Sequence, residues 1–242
     1  MKHLILCFIA GLLLTACAAK DKPPKTAEFY FQQGEEYLEE GLYDNAIASW
    51  EKVRESYYSP ELTMLAEMKI AETYYAAERY PEAASAYEDY IRQYPGDPRR
   101  ASATYWLAMS YYHQILDYDR DQTNTKNALN AFNDLLRLYP DEKDESEIRP
   151  LIQRCKNQLA AHEVYVGRFY LRTKHYQSAI NRLEEIPQQY PGYSHLDEVY
   201  FYLISAHVKL EDHQKAQGLF QRLQSTFPNS PFIEKAEKKL RK

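Results

Sequence analysis

The chain has few cysteines and few glycines, and each shortage excludes a class of protein. Only three of its 242 residues are Cys and seven are Gly. Cys7 and Cys17 fall in an export segment described below, so Cys155 is left without a partner and no intramolecular disulfide can form. The glycines make no phosphate-binding loop. Stability must therefore come from packing, and we expect Cys155 to be a small buried apolar side chain.

Signals for catalysis and for nucleic-acid binding are also missing. The chain contains no His-Glu-x-x-His and no Gly-x-Ser-x-Gly motif, and its formal net charge is −5, which gives no electrostatic reason to bind nucleic acid. Acidic residues occupy every second position, as at the start of a calcium-binding loop, at Asp117, Asp119 and Asp121. Gln122 and Ala128, however, stand where that loop needs Gly and a bidentate Glu, which favours a solvated loop. We predict a protein that is not an enzyme, with no cofactor and no resident metal.

What the chain does contain is a repeat. Five times an Ala is followed by a bulky residue four positions on and by an apolar residue three further on. Steps of four and three place each trio on one helical face. In the last four copies an aromatic residue and a Pro follow, the Pro twelve residues after the Ala, and proline there ends a helix. The trios are Ala46, Trp50, Val53; Ala83, Tyr87, Tyr90; Ala128, Phe132, Leu135; Ala179, Leu183, Ile186; and Ala216, Phe220, Leu223.

A second element precedes each trio. A small or apolar residue is followed three positions later by an aromatic one, and the trio begins twelve residues after the start of the pair, except in the third unit, where an eight-residue insertion intervenes. Each unit therefore reads as a helix hairpin, and the pattern resembles the tetratricopeptide repeat. That resemblance implies an all-α solenoid of five repeats with a concave binding surface. The pairs are Gly34 and Tyr37, Ala71 and Tyr74, Ala108 and Tyr111, Gly167 and Tyr170, and the weaker Ile204 and His207.

The amino terminus indicates export. Lys2 precedes an apolar run, Leu4 to Leu14, that is shorter than the roughly 20 residues of a spanning helix. The residues that end at Cys17 resemble the bacterial lipoprotein processing box, and an ordinary secretory signal with a chance Cys is the alternative. We predict a signal peptide over residues 1–16 and an acylated Cys17 with a tether over residues 17–26. The resemblance also implies sorting to the outer membrane, because Ala18 rather than Asp follows the Cys.

The repeats divide into two halves. Residues 27–145 hold repeats 1 to 3, and residues 146–242 hold repeats 4 and 5 with a carboxy-terminal capping helix. Residues 146–173 show an approximate helical period, with Ser146 as the expected cap and Pro150 near the first turn. This predicts one long helix that joins the halves. A flexible linker is the rival, but no Gly or Ser tract supports it.

The repeat register, taken from the tetratricopeptide resemblance, places the first helix of each repeat along the concave groove. In the amino-terminal half it selects aromatic and Met side chains suited to an extended or unfolded peptide that ends in aromatic residues. In the other half it selects Arg168, Arg172 and Lys209, which suit an acidic partner. Packing between repeats is the alternative role of such aromatics, and we expect it for Tyr74, Tyr111 and Tyr170. The predicted client-binding residues are Phe31, Leu38, Met68, Tyr75, Tyr105, Met109 and Tyr112.

The combination of features resembles a more specific family. The lipid-modified Cys, five repeat units, aromatic-Pro endings and the string Asp119, Arg120, Asp121 in the insertion look like the BamD family, the tetratricopeptide lipoproteins of the β-barrel assembly machinery. The resemblance implies a subunit anchored to the outer membrane by its lipid and facing the periplasm. It also implies contact with a BamA-like insertase through the carboxy-terminal repeats, membership of a complex with other subunits, and engagement of unfolded outer-membrane protein clients near the amino-terminal groove.

Another envelope scaffold is the main alternative. Tetratricopeptide proteins that coordinate peptidoglycan synthesis or Tol-Pal function, such as those related to CpoB, share the aromatic-Pro endings. That family usually has an amino-terminal coiled coil and no lipid Cys. This chain shows neither heptads nor such an extension, which favours the assembly role.

Overall fold

Helices make up the regular structure in a computed structural model that describes residues 26–55, 59–140 and 145–241. The predicted signal peptide, Cys17 and nearly all of the tether lie outside these residues. Over the described ranges the chain forms twelve helices and no strand, which confirms the predicted all-α class. They are α1 (Ala27–Glu39), α2 (Tyr43–Glu55), α3 (Pro60–Ala76), α4 (Tyr80–Gln93), α5 (Arg100–His113), α6 (Thr123–Leu138), α7 (Glu145–Arg172), α8 (Tyr176–Leu183), α9 (Ile186–Gln189), α10 (Leu196–Lys209), α11 (His213–Thr226) and α12 (Phe232–Leu240).

The helices pack in chain order as five hairpins. Helix α1 packs on α2, α3 on α4, α5 on α6, α7 on α8 and α10 on α11. In the first four repeats the second helix also packs on the first helix of the next repeat. Short connections make the partners of a pair antiparallel. Contacts of α1 with α3 and of α3 with α5 align the first helices of the amino-terminal half, and contacts of α7 with α10 align those of the carboxy-terminal half. The result is a tetratricopeptide-like solenoid, closed at its end by α12 against α10 and α11.

The five repeated trios form the spine of the core. All their members are buried, and the most exposed of them, Phe220, retains only 7% of its accessible surface. Each trio packs against its own repeat and its neighbour; Trp50 and Val53, for example, lie in one cluster with Ile70 of the next repeat. Because a repeat buries these side chains only with its neighbour's help, stability is shared along the stack.

Close approach of paired helices depends on two glycines. A Cβ placed on Gly34 would lie 2.5 Å from Nε1 of Trp50, and one placed on Gly167 would lie 2.6 Å from Cγ of Leu183. Both distances are far below ordinary van der Waals contact. Gly therefore occupies these positions because no side chain fits between α1 and α2 or between α7 and α8.

A shared turn ends the first helix of four repeats. Gly41, Glu78, Lys174 and Glu211 have φ angles of 74°, 58°, 63° and 61°. At each turn the next N–H donates to the carbonyl five residues earlier, as from Arg79 to Tyr74 at 2.9 Å. This is the Schellman ending of a helix, which a left-handed residue allows. The third repeat instead runs from α5 into the predicted insertion.

The joining helix is continuous, as predicted. Helix α7 runs from Glu145 to Arg172 and includes Pro150. Ser146, which we expected to cap it, lies inside its first turn, so the predicted cap is wrong.

The second helix of repeat 4 is broken into α8 and α9, because Pro187 at the start of α9 has no N–H to donate to the preceding turn. None of the described helices combines the length and the apolar character needed to cross a membrane.

Candidate functional site

Five aromatic rings meet where the second and third repeats adjoin, and we call Tyr75, Tyr80, Tyr105, Trp106 and His113 the aromatic cluster. The Tyr75 ring lies at its centre, with centroid distances of 4.7 Å to Trp106, 5.4 Å to Tyr80 and 5.9 Å to His113. The Tyr105 ring lies 4.9 Å from Trp106. Most of these pairs are tilted or edge-to-face, the geometry that ring quadrupoles favour.

Three helix segments position the aromatic cluster. Tyr75 lies in the last turn of α3 and Tyr80 begins α4, so the left-handed turn at Glu78 brings their rings together. Trp106 and His113 are seven residues apart on α5 and therefore share a face. The His113 ring stacks on Tyr80 at 4.6 Å with an interplanar angle of 9°. The cluster is thus held by the stacking of repeats and not by a loop.

Two phenols of the aromatic cluster, those of Tyr75 and Tyr105, have raised pKa values. Burial raises the pKa of Tyr75, with smaller contributions from Tyr80 and Tyr105. Burial likewise raises the pKa of Tyr105, and nearby Glu147 adds to the effect. A neutral tyrosine presents an apolar ring with one O–H that can donate or accept a hydrogen bond. The cluster therefore offers apolar contact with a few polar handles.

The predicted client-binding residues do not all meet. Tyr75 and Tyr105 belong to the aromatic cluster, and Tyr112 lies beside it, 6.2 Å from His113 between ring centroids. Half-buried Met109 packs with Tyr112 in the core of repeat 3. Phe31 and Leu38 belong to the separate core around Trp50, whose Nε1 donates to the Phe31 carbonyl at 3.2 Å.

Met68 has a different position from the other predicted residues. Its side chain is 5% exposed and packs in the core formed with Tyr87 and Tyr90. At that burial it supports the groove from below and offers almost no surface to a ligand. We therefore leave Met68 out of the contact surface.

Sequence reasoning missed Trp106, Tyr80 and His113. Trp106 is next to a register position and not on it, and Tyr80 lies on a second helix, so neither falls in the groove register. One usable signal was present, because the spacing of seven between Trp106 and His113 places two aromatic residues on the same face. The meeting of that face with Tyr80 depends on how two repeats stack.

The predicted basic residues are exposed on the carboxy-terminal half. The Arg168 guanidinium lies 5.6 Å from the centroid of the Tyr202 ring. Tyr202 donates its O–H to Glu198 at 2.5 Å. Lys209 is seven residues after Tyr202 on α10 and shares its face. Arg168 of α7 and Lys209 of α10 therefore both lie on the side of these two helices marked by Tyr202. Arg172 follows Arg168 by one turn on α7.

The insertion of the third repeat docks on α7. Nε2 of Gln158 donates to the Leu116 carbonyl at 2.5 Å, and Nδ1 of His162 lies 2.7 Å from the Tyr118 carbonyl oxygen. Within the loop, buried Gln122 donates to the carbonyls of Asp117 and Arg120. The insertion thus links the two halves and is held at both ends.

Metal ligands do not converge in the part of the chain that the structure describes. Asp117, Asp119 and Asp121 are exposed on the insertion, and no group of three or more His, Cys, Asp or Glu residues there could hold an ion. The Asp121 carboxylate instead accepts from the Thr123 N–H at 2.9 Å. Hydrogen bonding to Thr123 lowers the Asp121 pKa.

Comparison with known proteins gives matches over most of the chain. The profile of the YfiO family, described as outer membrane lipoprotein, matches residues 23–218. Outer membrane protein assembly factor BamD of Caulobacter vibrioides is 28% identical over 230 residues, which span 91% of this chain and 75% of that protein. The protein of the same name in Rickettsia prowazekii is 29% identical over 232 residues, spanning 94% and 92%.

Solved structures with some likeness to the chain include the TPR2AB-domain:pHSP90-complex of yeast Sti1. That match has a TM-score of 0.46 and 15% sequence identity, and it covers 89% of this chain and 83% of that chain.

Proposed function

Because the chain belongs to the YfiO family of outer membrane lipoproteins, we propose that it is a non-enzymatic scaffold for the assembly of outer-membrane proteins. Relatives that span most of the chain are named as outer membrane protein assembly factors. A solenoid with an aromatic surface in one half and exposed cations in the other fits a protein that brings partners together. The aromatic cluster is the observation that carries this proposal.

The amino-terminal half takes the client. Unfolded outer-membrane proteins offer extended segments with aromatic side chains, and the aromatic cluster offers tilted rings with a few polar atoms beside Tyr112 and Met109. Aromatic side chains contribute large contact areas at small conformational cost, and the Met side chain adapts to different shapes. One such surface binds weakly, which suits the transfer of a client to the next subunit.

The carboxy-terminal half docks on the insertase. Arg168, Arg172 and Lys209 are exposed there and provide the charge for an acidic face of a BamA-like subunit. Lipid on Cys17 holds the scaffold at the outer membrane, facing the periplasm and the other subunits of the complex. Tethering raises the effective concentration of a client near the insertase without any new contact.

Client binding is tested with a peptide from the last strand of an outer-membrane protein that ends in Phe. Replacement of both Tyr75 and Tyr112 by Ala should weaken binding about tenfold or more, because each loses an aromatic contact, while unfolding stays cooperative. Leu210→Ala is the matched control, since Leu210 is 43% exposed and far along the chain. Equal affinity of the double variant and the control would contradict the groove assignment.

The scaffold role is tested by purification of the tagged, lipidated protein from detergent-solubilised native membranes. Recovery of a barrel-forming insertase in stoichiometric amounts is the expected result. Recovery of peptidoglycan synthases or Tol-Pal components without an insertase would contradict it and favour the alternative envelope scaffold.

A further inference from the structure

Three tyrosines continue from the aromatic cluster toward the carboxy-terminal half, and we call Tyr118, Tyr165 and Tyr202 the tyrosine path. The Tyr118 and Tyr165 rings lie 5.8 Å apart between centroids, with an interplanar angle of 60°. Arg168 follows Tyr165 by three residues on α7 and shares its face. Its guanidinium lies 5.6 Å from the centroid of the Tyr202 ring. Each step of the path is therefore a ring contact or less than one helical turn.

The insertion joins the aromatic cluster to the tyrosine path. His113 is the last residue of α5, and Tyr118 follows it by five residues, so at most about 18 Å separates their Cα atoms. Gln158 of α7 donates to the Leu116 carbonyl, which holds the segment on that helix. One turn later the His162 ring bonds to the Tyr118 carbonyl. A ligand that extends beyond the aromatic cluster therefore meets an ordered surface, whose conformational cost of binding is small.

The aromatic contact between the second and third repeats recurs at the next two repeat boundaries. Three repeats have an aromatic residue two positions before the small or apolar residue that begins their pair. These residues are Trp106, Tyr165 and Tyr202. Equivalent positions of stacked repeats lie on the same side of a solenoid. Each ring meets a side chain that precedes it in the chain, in turn Tyr75, Tyr118 and Arg168. The tyrosine path is therefore the continuation of the aromatic cluster.

Apolar contact, and not charge, selects the occupant of the path. The side chains of Tyr118 and Tyr165 are 49% and 40% exposed. Charged side chains of both signs surround them, since Asp117 and Asp119 are exposed on the insertion and Arg168 is exposed on α7. Neither an acidic nor a basic partner is favoured by such a mixture. Exposed rings with polar tips instead suit aromatic side chains, as the aromatic cluster does.

We propose that the tyrosine path binds the part of an unfolded client that precedes its aromatic end. The last aromatic side chain lies at the aromatic cluster, and an aromatic side chain upstream in the same segment packs on Tyr118 and Tyr165. An extended chain advances about 3.3 Å per residue, so about six residues separate the two contacts. The inference rests on the proposed function and deepens it. A client held in this way reaches Tyr202, beside the cations of the docking half.

The first test uses the full lipidated protein in detergent and fluorescent twelve-residue peptides that end in Phe. One peptide has a second Phe six residues upstream, and its matched peptide has Ser there. We expect the second Phe to strengthen binding about tenfold, because two contacts within one segment act together. The double variant Tyr118→Ala with Tyr165→Ala should lose that gain and bind the Ser peptide as the wild type does. Tyr43→Ala is the matched control, since Tyr43 is 36% exposed on α2.

A second test locates the upstream part of the peptide. Benzoylphenylalanine replaces the upstream Phe, and irradiation followed by mass spectrometry identifies the crosslinked residues. We expect crosslinks to the insertion, near Tyr118, and to α7, near Tyr165. Moving the photoreactive residue four positions further upstream should shift the crosslinks to α10, near Tyr202. Crosslinks confined to the first two repeats would overturn the path.

Several binding results would also overturn this assignment. Equal affinity of the two peptides, or a gain that survives in the double variant, would show that the path does not contact the client. If the variant instead loses binding to phosphatidylglycerol vesicles, the rings face a lipid surface. If it loses self-association measured by sedimentation, they face a second copy of the chain. Circular dichroism checks the fold of the variant, which both exposed positions should preserve.

Failure of this inference can be distinguished from failure of the proposed function. If the Ser peptide binds and the second Phe adds nothing, client binding at the aromatic cluster stands and the path is wrong. If the wild-type protein binds neither peptide, both client assignments are wrong. The double variant should still recover the insertase from native membranes, because the path takes the client. Loss of the insertase in that variant would overturn the path and leave the scaffold function standing.

Discussion

The Tyr75 ring packs 4.7 Å from the Trp106 ring, and this contact joins the first helices of the second and third repeats. The contact links Tyr75, which the repeat register places in the groove, with Trp106, which the register does not select. Tyr80 and His113 complete the same cluster from a second helix and from the end of α5. A peptide bound along the first helices of these two repeats would therefore contact several adjacent rings and not a series of isolated side chains.

Trp106 should report on groove occupancy through its fluorescence. Trp50 is fully buried and Trp106 is half-buried, so acrylamide should quench Trp106 selectively. We expect the Phe-ended client peptide to reduce that quenching, because it covers the ring. In Trp106→Phe the quenchable emission and its response to peptide should both disappear, while Trp106→Ala should also lower the free energy of unfolding by about 1–3 kcal/mol. If the peptide does not change the acrylamide quenching of Trp106, the client binds elsewhere.

Gly34 and Gly218 should respond in opposite ways to the same substitution. Gly34→Ala forces a Cβ to within 2.5 Å of the buried Trp50 indole, so we expect a loss of about 1–3 kcal/mol in the free energy of unfolding. Gly218 lies inside α11, and a Cβ at this position would have nothing within 4 Å beyond its chain neighbours and the backbone of its own helix. Gly218→Ala should therefore gain up to about 1 kcal/mol from helix propensity alone. Urea unfolding measures both, and a stabilising Gly34→Ala would disprove the close approach of α1 and α2.

The Asp97–Arg99 pair should make stability depend on acid pH. A side-chain hydrogen bond from Arg99 is the main reason that the Asp97 pKa is lowered from 3.8 to about 2, and the Asp97 side chain is only 3% exposed. Because the folded-state pKa is depressed, the stabilisation is present above the unfolded pKa and is lost as the pH falls from about 4 to 2. Asp97→Asn should cost about 2 kcal/mol at neutral pH, and the difference from wild type should shrink across that window.

A matched variant tests whether this effect belongs to the buried pair. Asp89 pairs with Arg92 on the surface of α4, and exposed ion pairs contribute little to stability. Asp89→Asn should therefore leave the urea midpoint nearly unchanged at every pH. A constant deficit for Asp97→Asn down to pH 2 would show that Asp97 titrates normally.

Much of the helical framework was predictable because it depends on local rules. The trios, the small residues before them and the aromatic-Pro endings all act within one hairpin, where helix period and proline chemistry decide the outcome. Local rules failed at Ser146 and at Pro187. Helix α7 begins at Glu145, one residue before Ser146, the expected cap. In the fourth repeat the second helix is broken at Pro187, an internal proline that is not part of the repeat pattern.

The sequence by itself determined the periodic core, the five helix pairs, the insertion and the long joining helix, since each follows from the spacing of apolar, small and proline residues along the chain. Only the tertiary structure decided which aromatic rings meet, that Met68 lies beneath the groove, and that the insertion folds onto α7 to expose Tyr118 beside Tyr165. These relationships depend on the rotation and translation of one repeat against the next. Spacing along a single helix cannot specify that geometry, because it arises from side chains that interlock between repeats.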